Sequence, residues 1–145
     1  MESVGKDYIA GVQMLASFGK DLRRAKAHTA RYFDIMADLA GGEDVAEVWT
    51  HIQATEDRFK AVVLGRFFEI ITHPLSHDDE GKIACIVLIR NAVTNEPIEL
   101  YRFMITRAGE AQTEKREELI SHRSEAGPEM LLVQISLAVL HSRPS

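Results

Sequence analysis

Residues 8–39, YIAGVQMLASFGKDLRRAKAHTARYFDIMADL, carry a heptad seam. Tyr8, Gly11, Leu15, Phe18, Leu22, Ala25, Thr29, Tyr32, Met36 and Leu39 follow one another in steps of three and four. That rhythm puts them along one stripe of a long α-helix. The helix is expected from about Lys6 to Ala40, ending at Gly41-Gly42 because glycine readily takes the backbone conformation past a helix C-terminus. Gly19 lies inside the pattern as a point of weakness. A stripe of this length needs a partner helix, from the same chain or from a second one.

Downstream, Val45, Trp49, Ile52, Glu56, Phe59, Val63, Arg66 and Ile70 repeat the three-four rhythm, and Val48, Val62 and Phe67 widen the apolar face. Acidic Glu43 and Asp44 suit a helix N-terminus, and Pro74 suits its end. The spacing therefore predicts a second helix, joined to the first by a glycine link as an antiparallel helical hairpin. Gly65 leaves a second reading open, with a strand beginning after it. Helices of about 40–50 Å would outreach the rest of a small domain, so an intermolecular contact is expected. Whether the hairpin closes within one chain or the helices intertwine in a dimer stays open at this level.

After Pro74 the character changes. His77-Asp78-Asp79-Glu80-Gly81 reads as a polar turn. Lys82 to Arg90 is β-branched and apolar on both faces, like a central strand. Residues 92–97 read as a hairpin connection, and Ile98 to Arg107 as the returning strand, with Tyr101, Phe103 and Ile105 on one face. Ala108 to Glu118 is mixed in charge and reads as a loop or an exposed helical turn, and Leu119 to Arg123 as a short strand. In residues 130–141 Leu131, Val133, Ile135, Leu137 and Val139 alternate as a strand face, although Gly127-Pro128-Glu129 resembles a helix start. The alternation favours strand. Arg143, Pro144 and Ser145 are expected to fray. The fold class is then α+β: a long antiparallel helical hairpin followed by a small antiparallel β-sheet. Residues 1–145 form a single domain, with a helical half at about 6–73 and a β-rich half at about 82–141.

The balance of 46% hydrophobic and 27% charged residues is that of an ordinary globular chain able to bury a core without metal or disulfides. The single cysteine, Cys85, cannot pair internally and sits in an apolar run. A net charge of -5 argues against general nucleic-acid binding. The apolar start lacks a positive n-region, and no run reaches the ~18 apolar residues of a membrane helix. A cytoplasmic protein without a membrane partner is expected.

Three sets of residues could carry chemistry. His73 and His77, with Asp78, Asp79 and Glu80 close by, combine imidazole and carboxylate, the donors of zinc and similar ions. A solvated turn accounts for the same composition. The His77-Asp78 pair also resembles the histidine-aspartate doublet of the HD phosphohydrolase family, over these residues alone. The flanking hydrophobic helix of that family is replaced here by a turn and a strand. Secondly, Lys20, Arg23, Arg24, Lys26 and Arg31 form a basic stripe. Lys20, Arg24 and Arg31 align within a narrow arc away from the Leu15-Phe18-Leu22 seam. An anionic ligand or an acidic protein surface would fit this face, as would plain solvation. Thirdly, Glu56 and Arg66 intrude on the second seam, as an active-site pair or as a structural contact. The aromatic residues follow the expected core faces. No glycine-rich phosphate loop, CxxC pair or nucleophile elbow occurs, and no cofactor is indicated. The leading expectation is a non-enzymatic homodimeric interaction module. The alternative is a small ligand- or metal-binding domain, or a hydrolase, with a pocket between helices and sheet.

Overall fold

The computed structural model describes residues 2–113, 118–120 and 127–143. One long helix, α1 (Glu2–Ala40), leads through a single 3₁₀ turn at Glu43–Val45 into an antiparallel sheet. Its strands are β1 (Trp49–Ala54), β2 (Arg58–Val63), β3 (Arg66–His77), β4 (Glu80–Arg90), β5 (Pro97–Ile105), β6 (Ala111–Gln112) and β7 (Glu118–Ile120). They lie side by side in chain order, a meander without crossovers. A second helix, α2 (Gly127–His141), closes the chain. The fold is α+β, but among the described residues there is no helical hairpin, and the sheet is large rather than small.

The expected second helix is three strands. Phe59, Ala61 and Val63 are buried while Arg58, Lys60 and Val62 are not, the period of a strand with one face on the core. Thr55-Glu56-Asp57 and Leu64-Gly65 interrupt any helix. Leu64 and Gly65 both have positive φ (46° and 88°), so a two-residue turn of the primed kind joins β2 to β3. The three-four rhythm in this segment arose from β-branched and aromatic residues that equally satisfy alternation. Pro74 does not end a helix: it pairs with Ile83 inside β3. The β2–β3 ladder stops at Arg58 and Ile71, so beyond that point β3 is an edge on one side, where a missing N–H is tolerated.

The readings around β4 agree with the structure. Gly81 to Val87 are all buried, as suits a strand covered on both faces. The polar turn is a two-residue hairpin loop with Asp78 and Asp79 at φ 53° and 58°. Tyr101, Phe103 and Ile105 pair with Val87, Cys85 and Ile83 on the core face. Of the loop expected after Ala108, residues 114–117 lie outside the described residues, as do 121–123 of the short strand and 144–145 of the expected frayed end.

Residues 130–141 are helix, not strand. Leu131, Leu132, Ile135, Ser136 and Val139 are the buried positions, a helical spacing. Pro128 sits in the first turn, where its fixed φ helps and its missing N–H costs nothing. The segment is apolar nearly all round, so alternating residues carried no directional information. The indole N–H of Trp49 donates to Ser136 Oγ at 2.9 Å, tying α2 to β1. Arg66 donates to the Ser142 carbonyl at 2.9 Å, meeting the negative end of α2.

The core lies between the inner face of the sheet, α2 and the C-terminal half of α1. Ala25, Thr29, Tyr32, Phe33, Met36 and Ala40 are buried along α1, and Phe33, Phe59 and Phe68 form a chain of tilted rings about 6 Å apart. Gly81 lets α1 approach β4: a Cβ there would lie 2.7 Å from the Phe18 carbonyl oxygen. Tyr32 donates its hydroxyl to the Gly109 carbonyl at 2.7 Å.

Candidate functional site

Two features stand apart from the packed core: the free end of α1 and a cleft beside its middle. At about 58 Å for 39 residues, α1 outruns the sheet. Every residue from Asp7 to Ser17 is exposed. Tyr8, Ile9, Val12, Met14 and Leu15 are 73%, 57%, 48%, 59% and 69% exposed. Tyr8, Val12 and Leu15 share one face with Gly11, whose missing side chain leaves open space. A second apolar strip, Met130, Val133 and Leu137, is exposed on α2 at helical spacing.

Where α1 leaves this free end it is clamped. Asp21 is buried; one oxygen of its carboxylate accepts the Gly81 backbone N–H at 3.1 Å, and the other accepts from Arg107 Nη1 at 3.0 Å. Arg107 Nε also reaches Glu80 at 3.2 Å. The Gly81 hydrogen bond, more than the guanidinium beside it, holds the Asp21 carboxyl below the ordinary aspartate pKa against the opposing effect of burial.

The cleft encloses about 540 Å³, a volume in the ordinary range of small-ligand sites. Arg23, Lys26, Ala27 and Ala30 of α1 form one wall, Glu56 and Asp57 of the β1–β2 turn another, and Thr72, Pro74 and Ile83 the floor. The turn is fixed: Thr55 donates to Asp57 Oδ1 at 2.9 Å, and Thr72 donates to the Asp57 carbonyl at 2.7 Å. His73 borders the cleft. It lies between Thr72 and Pro74, so strand alternation sends its ring toward the opposite face of the sheet.

The residues singled out in the sequence fall apart accordingly. His73 and His77 share a face of β3 but are four residues apart, about 13 Å along a strand. That is too far for one ion. His77 and Asp78 do meet, at 3.1 Å. Their third partner is the buried Lys82, whose Nζ lies 3.1 Å from His77 Nδ1 and 3.8 Å from Asp78. An ammonium group there answers the acid where a metal ion would have to sit. Among the described residues, no three histidine, cysteine, aspartate or glutamate side chains group as metal ligands. The doublet likened to the HD phosphohydrolases lies on a β-hairpin, not among helices. Lys20, Arg23, Arg24 and Arg31 are all exposed on α1, and of these only Arg23 reaches the cleft. Glu56 lies in the β1–β2 turn and Arg66 at the start of β3, against α2, so they form no pair. Cys85 is enclosed in the core, and burial pushes its thiol pKa up, which makes it inert.

The sequence does not reveal the opposition of Arg23 and Lys26 to Glu56 and Asp57, because Glu56 fits the three-four seam of a helix. The signal was present: Thr55-Glu56-Asp57 is a polar cluster between Ile52 and Phe59, which marks a turn between strands. Among the described residues, no helix is long and apolar enough to cross a membrane. No family model, no curated protein and no solved structure matches the chain.

Proposed function

We propose that the chain is a non-enzymatic interaction module that assembles as a homodimer through the free end of α1. The observation that carries this reading is the exposure of Tyr8, Ile9, Val12, Met14 and Leu15 on a stretch of helix that no other described residues cover. Large apolar side chains grouped in this way mark an interaction surface. Isolated helical segments of about three turns are marginal in water, so a partner also stabilises the helix itself. A second copy is the simplest partner. The stripe is narrow enough to serve as the same patch on both subunits, and two-fold pairing of identical patches is the commonest assembly. Each large side chain fully buried across the contact contributes about 1.5–3 kcal/mol. Tyr8, Val12 and Leu15 on the shared face of each copy, six side chains in all, are enough to offset the loss of translational freedom. The basic face at Lys20, Arg24 and Arg31 stays outside this contact and is open to an acidic partner surface.

Size-exclusion chromatography with light scattering, across a dilution series of the intact chain, tests the proposal. A dimer that becomes monomeric in the Val12→Glu/Leu15→Glu variant supports it. A wild-type chain that stays monomeric at every concentration of the series removes the second copy as partner.

A further inference from the structure

We propose that the cleft between α1 and the β1–β2 turn binds a short zwitterionic peptide, its carboxylate on Arg23 and Lys26 and its ammonium group on Glu56 and Asp57. The cleft presents cations from the helix and carboxylates from the turn. Among the described residues, Arg23, Lys26 and Glu56 make no hydrogen bond or ion pair, and the Asp57 carboxylate receives only the neutral Thr55 hydroxyl. The two signs therefore face the same space without neutralising each other. A simple anion entering this space gains the cations but meets two carboxylates, and a simple cation has the reverse problem. A ligand carrying both charges satisfies both walls.

Size and floor narrow the class. Taken as a cube, 540 Å³ is about 8 Å across, and an extended chain of two or three residues spans about 7–10 Å. A free α-amino acid carries both charges on one carbon and cannot reach both walls. Ala27 and Ala30 leave the helix wall low, and Pro74 and Ile83 give the floor apolar surface for small side chains. Along the floor runs the part of β3 beyond Ile71, where β2 has ended and the strand edge is open. Pro74 has no N–H to offer a second strand there, so an extended occupant is held by its two charged ends rather than by a main-chain ladder. The Thr72 hydrogen bond to the Asp57 carbonyl holds the acidic wall in place before a ligand arrives.

Isothermal titration calorimetry of the intact chain with trialanine, N-acetyl-trialanine and trialanine amide tests the assignment. Trialanine is expected to bind saturably, and each cap to weaken it about tenfold, the effect of losing one charged hydrogen-bonding group. Arg23→Gln/Lys26→Gln should abolish discrimination against the amide, and Glu56→Gln/Asp57→Asn that against the acetylated peptide. All four side chains are exposed, so both variants should melt like the wild type. No saturable binding at millimolar trialanine, or equal affinity for all three peptides, overturns the proposal. Dimerisation does not enter the readout, so this result and that of the light-scattering experiment can fail separately.

Discussion

The two halves of α1 carry the same seam and meet different fates. From Leu22 onward the three-four positions enter the core: Ala25, Thr29, Tyr32 and Met36 are at most 7% exposed. From Asp7 to Ser17 the same rhythm faces water. A heptad pattern thus reports that a stripe is apolar and helical, and leaves its partner unnamed. For the C-terminal half the partner is a sheet. For the N-terminal half the described residues supply none.

The largest effect is expected in the half that is packed. Phe33 is 1% exposed and lies 6.1 Å from the Phe59 ring. Phe33→Ala is expected to destabilise the fold by about 3–5 kcal/mol, by lost transfer energy and the cavity left behind. Urea titration followed by circular dichroism measures it. A loss below about 1 kcal/mol would mean that the C-terminal half is not the anchored one.

Next in size is the point where the two halves divide. At Gly81 an added Cβ meets the Phe18 carbonyl at 2.7 Å, and backbone cannot move aside as a side chain can. Gly81→Ala should cost about 1–3 kcal/mol, the usual range for overpacking, and should lift the helix at Phe18. The same titration reads the first effect. Increased hydrogen exchange at Leu22 to Ala25 reads the second.

These contrasts show what the sequence could and could not convey. The helix from Lys6 to Ala40, the central strand ending at Arg90, the Asp78-Asp79 turn and the returning strand were legible, because each has a local cause in periodicity or turn chemistry. Residues 43–73 and 130–141 were misread for a shared reason. In both, apolar residues are dense enough to satisfy periods of 2 and 3.6 together, and long-range contacts such as Trp49 to Ser136 decide between them. Of the cleft, the cations on α1 were visible as a stripe. Their acidic counterpart was not, since 33 residues separate Arg23 from Glu56 and only the sheet brings them together.

A smaller effect is expected at the Asp21 clamp. The Asp21 carboxyl has a folded pKa below its ordinary value, through the Gly81 N–H and then Arg107. In the window between the folded and unfolded pKa values the unfolded chain binds more protons, so stability rises with pH there. The contribution is complete above the ordinary aspartate pKa and is lost as pH falls through the depressed folded value. Asp21→Asn should lower stability at neutral pH and flatten this acid limb. Denaturation melts between neutral pH and the acid limit give the comparison, and an unchanged limb would show that Asp21 does not hold α1 to Gly81.

The smallest expected effect is on the free half, and it carries the most information. Removing residues 2–16 takes away no buried described side chain. The unfolding free energy of the monomer should then change by no more than about 0.5 kcal/mol, as for surface substitutions. The proposed dimer contact would add stability that grows with protein concentration, because a partner binds only the folded state. Thermal melts at two concentrations should therefore differ for the intact chain and coincide for the shortened one. Coincident melts for both would leave the exposed stripe without a second copy to explain it. A large loss of stability on shortening, at every concentration, would show that the free turns support the core after all, and the division of α1 into an anchored and an unpartnered half would fall with it.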